Sequence, residues 1–329
     1  MAAVVGTEQL SRPVGAGLQM LAVAACYYGA GRLGLLRHLV LDGAVFTPIW
    51  PPTGVAVAAV LILGVRVWPG VALGALLIVL SITSFRPDVI VTVAGNTVAP
   101  LCSYLLLRKA GFRTELSRLR DGLALVFLGA FAGMLISATT GAGILVLDGR
   151  LAADSFWPVW LTWWVGDAMG VLIVTPVLLM LSRVRTPLRP ARWKEAAVLI
   201  LIALGLVPFA TLSPLSMLFL LYPLLIWAAL RFQHGGSVLC ALFASVMATV
   251  AATERTGAFD RLSDIEVMVK LQVFNGSAAL TALLLSAVII EQRNTRRSVE
   301  QACKELVEVL EHLTAGEASS RPPPMEKDG

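Results

Sequence analysis

Asp167 is the residue whose chemistry most needs an explanation. It sits near the middle of an apolar run, Trp160-Leu161-Thr162-Trp163-Trp164-Val165-Gly166-Asp167-Ala168-Met169-Gly170, with no basic residue within a turn or two. A charged side chain at the centre of a bilayer costs about 2.5–3.5 kcal/mol on insertion scales. The carboxyl is therefore protonated, or faces a wet cavity, or meets a partner from another helix. A structural hydrogen bond to nearby backbone or hydroxyls stands beside a sensing or proton-linked role.

Other polar groups sit at comparable depth. Asn96 lies between Gly95 and Thr97, where small neighbours let another helix come close enough to share a hydrogen bond. Trp50-Pro51-Pro52-Thr53-Gly54 opens another run. Its prolines cannot donate to a helix but are tolerated in a first turn, and tryptophan favours the membrane interface. The element reads either as a plain helix entry or as a broken start that leaves backbone groups free for a ligand. Ser137 and Thr139, in Ser137-Ala138-Thr139-Thr140-Gly141, offer hydroxyls that suit helix packing as well as a lining. With Trp163 and Trp164 these residues form the candidate sensing or ligand site.

No catalytic or metal constellation is legible. His38, His234 and His312 lie near loops or on the tail, and no HExxH, GxSxG, P-loop or G-x-G-x-x-G element occurs. Cys26, Cys102, Cys240 and Cys303 are far apart, and the first three fall inside apolar runs, where a small buried hydrophobe is expected. No catalytic residue, cofactor or metal is expected.

The elements that must position these groups are membrane spans. The 329 residues are 57% hydrophobic and only 14% charged, against roughly 25% charged in soluble domains, and the mean hydropathy is +0.80. Apolar stretches fall at 16–36, 50–64, 67–83, 88–107, 122–147, 157–182, 195–212, 214–231, 236–252 and 267–290. The second and third are short enough to be a re-entrant pair, so the expected fold is an all-α integral membrane bundle of about eight to ten transmembrane helices.

The net charge of +5 comes from basic clusters between apolar runs, which reads as topology and not as nucleic-acid binding. Arg108, Lys109, Arg113, Arg118 and Arg120 fill one short loop, and Arg183, Arg185, Arg189, Arg192 and Lys194 another. Both should be cytosolic by the positive-inside rule. The loops with Asp148, Arg150 and Asp154, with no charge (Thr211 to Pro214), and with Glu254 to Lys270 then lie outside, which puts both termini in the cytosol. The first span is expected to be retained, since Met1 to Met20 carries no cleavable leader pattern.

The last run continues past the membrane. Gln272 and Asn275 are on it, and Val299, Cys303, Leu306, Leu310 and Leu313 keep a 4-3-4-3 spacing that makes one apolar seam. These seven residues are the expected signal-coupling set. The seam is either a solvated extension or a dimerising signalling helix. The division expected is a transmembrane domain over 1–292, a cytosolic helical extension over 293–314 and a disordered tail over 315–329, rich in serine and proline.

Together these motifs resemble the MASE1 family, the membrane-associated sensor domain of bacterial histidine kinases and diguanylate cyclases. The matching pieces are Ile49-Trp50-Pro51-Pro52-Thr53-Gly54, Leu63-Gly64 and Trp68-Pro69-Gly70; Gly95-Asn96-Thr97; Ile136-Ser137-Ala138-Thr139 with Gly141; Trp160 to Trp164 with Gly166-Asp167 and Gly170; and Arg231-Phe232 ahead of Gly235. They span about residues 15 to 292. The resemblance implies a multi-pass sensor in the bacterial plasma (inner) membrane, working in signal transduction of the two-component kind. Its last helix would couple to a cytosolic kinase or cyclase, in some members beside a transporter-like membrane partner. Here no kinase, cyclase or PAS domain follows that helix, so the chain reads as the sensor part of a longer protein or as a freestanding module. The expected partners are the lipid bilayer, an unknown small ligand, an output protein and a second copy of the chain, with no nucleic acid. The rival reading is a small-molecule transporter or substrate-binding membrane subunit, since short helices and midplane polar residues also describe carriers.

Overall fold

The computed structural model describes residues 5–41, 44–183 and 192–319. Helix α1 (Val5–Leu35) is followed by a two-stranded antiparallel hairpin, β1 (Leu39–Leu41) with β2 (Ala44–Phe46), in which Leu39 pairs with Phe46. Then come α2 (Pro51–Leu63), α3 (Trp68–Leu80), α4 (Pro87–Lys109) and α5 (Leu119–Ala124). A π-helical stretch, Leu125–Ala132, joins α5 to α6 (Gly133–Leu147). The chain ends with α7 (Phe156–Leu181), α8 (Trp193–Leu212), α9 (Leu221–Thr253) and α10 (Asp264–Ser319). Apart from the hairpin, this is the expected all-helical membrane bundle.

Among the described residues, seven helical segments are long and apolar enough to cross a membrane, and three shorter apolar ones accompany them: Pro51–Leu63, Val65–Leu80 and Leu218–Gln233. These match the ten apolar runs in order. The short α2 and α3 do not pack on each other as a hairpin. Gly34 near the end of α1 lies against Trp50 and Pro51, while Gly70 at the start of α3 lies against Met20 and Gly74 against Tyr27. Helix α2 thus runs antiparallel to α1 and α3 parallel to it, on two sides of the same helix. Each has 13 residues and rises about 20 Å. The eighth and ninth expected runs are two helical segments, Leu218–Gln233 and Gly235–Thr253, joined within α9 at a non-helical Gln233 (φ 56°, ψ −142°).

Helix α10 packs along α9 through small residues, Ala241, Ala244, Ala248 and Ala251 on one side and Ala278 and Ala282 on the other, all buried. Where lipid tails are as apolar as leucine, such close backbone approach and its dispersion contacts hold helices together. Two further cores gather α1 to α3 around Tyr27 and Ile78, and α4 to α7 around Leu107, Leu125 and Leu172.

The two ends of the bundle differ. At one, the Leu119 N–H donates to Glu291 (2.8 Å), Arg293 donates to the carbonyl of Leu230 (2.6 Å) and Arg183 pairs with Glu115 (3.0 Å). This brings the α4–α5 loop, the break in α9 and the base of the α10 extension together. At the other, Arg37 pairs with Glu254 (2.6 Å) and Arg150 with Asp88.

Past Glu291, α10 continues as an exposed helix, with Val299, Cys303 and Leu306 open to solvent. Leu310 and Leu313 follow on the same helix. The helix runs to Ser319, five residues into the segment expected to be disordered, because Ala315, Glu317 and Ala318 favour helix. The rest of that tail lies outside the described residues, as do Arg185 and Arg189. The four cysteines are free: Cys240 is buried, but Cys26 faces outward, where a bilayer serves an apolar side chain as well as a core does.

Candidate functional site

The first turn of α2 is built for a close approach. Pro51 and Pro52 stand at its first positions, lacking the N–H groups that would be orphaned there. The Trp50 N–H before them donates to the carbonyl of Gly166 on α7 (2.9 Å). The two helices then run side by side in the same direction at Gly54 and Gly170. A Cβ at Gly54 would overlap the Gly170 carbonyl, and one at Gly170 would overlap that of Trp50. Thr175 on α7 seals the contact by donating to the carbonyl of Gly54 (3.1 Å).

This crossing sets Asp167 beside the start of α2. Thr53 donates its hydroxyl to Oδ1 of Asp167 (2.7 Å) and Ser137 on α6 donates to Oδ2 (2.5 Å), with Trp163 one turn earlier on α7. The carboxyl is 1% exposed. Its two donors come from two different helices, α2 and α6. Among the described residues no ion pair includes Asp167.

Asp167, Gly166, Trp163 and Trp50 form the floor of a cavity of about 420 Å³. Thr47, Thr92, Asn96 and Thr162 add polar atoms to walls otherwise made by Leu35, Val79, Ile82, Leu145 and Val159. Gly141 makes room for the Trp163 ring, which lies where a side chain at 141 would be. Behind the cavity, Trp50 packs against the core cluster that holds the buried Tyr27. The cavity reaches Arg150 and Leu151 at the end of the bundle. There Arg150 pairs with the buried Asp88 and with Asp148 (3.3 Å), and Arg86 lies 3.5 Å from Asp88 and 3.7 Å from Asp148.

Of the residues singled out in the sequence, Trp50, Asn96, Trp163 and Asp167 line the cavity, and Thr53 and Ser137 bond its carboxyl. Pro51, Pro52 and Gly54 serve the α2 crossing. Thr139 and Trp164 lie elsewhere: Thr139 is exposed and accepts from Trp160 (3.0 Å), and Trp164 donates to the carbonyl of Phe131 (2.8 Å) in a stack with Trp160 and Phe131. Helical phase explains both. At about 100° per residue, Trp163 and Asp167 share a face, whereas Trp164 is a quarter turn off, and Thr139 is more than half a turn from Ser137. Gly95 packs against Thr140, so the small residue beside Asn96 does bring α4 and α6 together.

The profile of the MASE1 family matches residues 19–293. The chain belongs to the MASE1 family. MASE1 is a membrane-associated sensory domain, without catalytic activity of its own, so the protein is a multi-pass membrane protein with a sensor role. Searches of curated proteins and of solved structures returned no match.

Within this MASE1 domain, the expected coupling residues fall into three groups. Gln272 on α10 donates to the carbonyl of Pro48 (2.8 Å), in the segment that carries Thr47 and Trp50 into the cavity. Asn275, one turn on, is fully buried, and neither amide atom has a hydrogen-bond partner among the described residues; the same holds for the Ser245 hydroxyl on α9. The remaining five lie on the extension of α10. Sequence reasoning missed Asp88, Arg86 and the role of Arg150 at the cavity mouth, and also Tyr27. An acidic residue directly after Pro87, at a helix start, was the available signal for Asp88.

Proposed function

We propose that this protein is a ligand-responsive sensor in which the state of the cavity around Asp167 sets the position of α10, and α10 passes the difference to an output partner at the basic end of the bundle. What carries the reading is one chain of hydrogen bonds. Gly166 and Trp50 are on the cavity floor, Trp50 is held to Gly166 by its backbone, and Pro48, two residues before Trp50, is held by Gln272 of α10. A ligand that moves the Thr47 to Trp50 segment pulls on α10 directly.

The basic loops supply the direction. Positive charge at the end that carries Arg113, Arg118, Arg183 and Arg293 puts that end in the cytosol. The cavity mouth, with Asp88, Asp148, Arg86 and Arg150, then opens to the outside, and α10 leaves the bilayer on the opposite side with its seam at Val299, Cys303, Leu306, Leu310 and Leu313. Two such seams pairing in a dimer would give a rotation or shift of α10 a partner to act on. A cytosolic kinase or cyclase, on the same chain or another, is the output that fits. A ligand shifts this switch only by binding its two arrangements with different affinity.

The test is a histidine kinase domain fused after Leu313, with autophosphorylation read in membranes. Asp167→Asn keeps the shape of the side chain and removes its charge. A several-fold change in the basal rate supports the reading, and an unchanged rate removes Asp167 from the signalling path.

A further inference from the structure

The cavity floor is acidic and aromatic, with no cation among its described residues, and we infer that its ligand is a small organic cation, a primary or substituted ammonium on an apolar body. This rests on the cavity being the sensory site and adds the chemical class it accepts.

Three observations converge. Asp167 is a buried carboxyl whose hydrogen-bond donors, Thr53 and Ser137, are neutral hydroxyls. Two carboxylate oxygens offer about four acceptor positions, so two donors leave room for a ligand's N–H groups, and the group lines the cavity. Second, Trp50 and Trp163 flank it on the same floor. An indole face attracts an ammonium most strongly among the aromatic side chains, and more so where water is excluded. Third, the rest of the wall is mainly aliphatic and encloses about 420 Å³, within the roughly 300–1,000 Å³ of small-molecule sites. It suits the hydrocarbon part of an amine.

The other charge classes fit worse. An anion would meet a carboxylate in a low-dielectric pocket, where like charges repel strongly. A neutral donor could bond the carboxylate but would leave its negative charge unpaired in a low-dielectric pocket, where an opposite charge gains most. The mouth does not bar a cation: its two arginines are matched by Asp88 and Asp148, and Oδ1 of the buried Asp88 accepts no hydrogen bond among the described residues.

The experiment is equilibrium dialysis of radiolabelled benzylammonium, benzyl alcohol and benzoate against the full chain in phosphatidylcholine nanodiscs, with empty nanodiscs subtracted. The three probes share one body and differ in charge, so the comparison needs no variant. Saturable binding of benzylammonium, roughly tenfold or more weaker binding of benzyl alcohol and none of benzoate is the expected pattern. Asp167→Asn should weaken benzylammonium by roughly tenfold or more and benzyl alcohol by clearly less, since only the ammonium loses a charge pair. Equal binding of alcohol and ammonium, no saturable ammonium binding, or ammonium binding untouched by Asp167→Asn would each overturn the assignment. If the fused kinase still responds to Asp167→Asn while benzylammonium fails to bind, the ligand class is wrong and the sensor reading stands.

Discussion

Gln272 on α10 donates its side-chain amide to the carbonyl oxygen of Pro48, 2.8 Å away and 224 residues earlier in the chain. That bond ties the helix leaving the bundle to the segment that enters the cavity. Its other amide atom, Oε1, is buried without a hydrogen-bond partner among the described residues. A polar side chain held by one bond only is easier to release than one satisfied at both ends, which suits a contact that must break and re-form.

The crossing of α2 and α7 should tolerate no added methyl group. Gly170→Ala forces a Cβ against the Trp50 carbonyl and is expected to lower stability by about 1–3 kcal/mol, the usual range for overpacking. Gly143→Ala is the control: it lies on α6 with open space around it and should raise stability slightly or leave it unchanged. Thermal midpoints in detergent separate the two, and equal midpoints would contradict the crossing.

At the cavity mouth, Asp88 is 5% exposed and depends on Arg150 and Arg86. Arg150→Ala should destabilise the protein by about 2–3 kcal/mol, below the roughly 3–5 kcal/mol of a fully buried pair, because Arg86 remains. Adding Asp88→Asn to Arg150→Ala removes the stranded charge and should restore most of the loss. A double variant no more stable than Arg150→Ala alone would show that Asp88 does not need its arginine.

Asn275 has both amide atoms buried without a hydrogen-bond partner among the described residues. A buried polar group left unpaired costs about 1–3 kcal/mol, so Asn275→Leu, of similar size, should raise the thermal midpoint. In the kinase fusion the same variant should respond less to changes at the cavity, as the proposed coupling through α10 requires. A lowered midpoint would mean that Asn275 has a partner in the native membrane.

Much of this was legible in the sequence for physical reasons. Apolar length marks helices in a bilayer, because lipid offers no hydrogen bonds to a backbone, and Asp167 stands out because a carboxyl there must be explained. Pro51 and Pro52 marked the start of α2, and the gap between the apolar runs 214–231 and 236–252 fell on the break at Gln233. The hairpin was not legible, since three-residue strands carry too few side chains for a period to show. Neither was the mouth: Arg150 and Asp88 are 62 residues apart, and nothing local announces a pairing made by the fold. Trp164 and Thr139 were swept in by adjacency, where the helical turn separates neighbours that stand side by side in the sequence.

The most direct measurement is a double-mutant cycle on the kinase fusion, with Asp167→Asn and Gln272→Leu made singly and together and autophosphorylation as the readout. If the Pro48 to Gln272 bond carries the cavity's state to α10, Gln272→Leu removes the effect of Asp167→Asn, and the double variant matches Gln272→Leu alone. If the two effects multiply independently, the cavity reaches the output by another route, and coupling through Gln272 is contradicted.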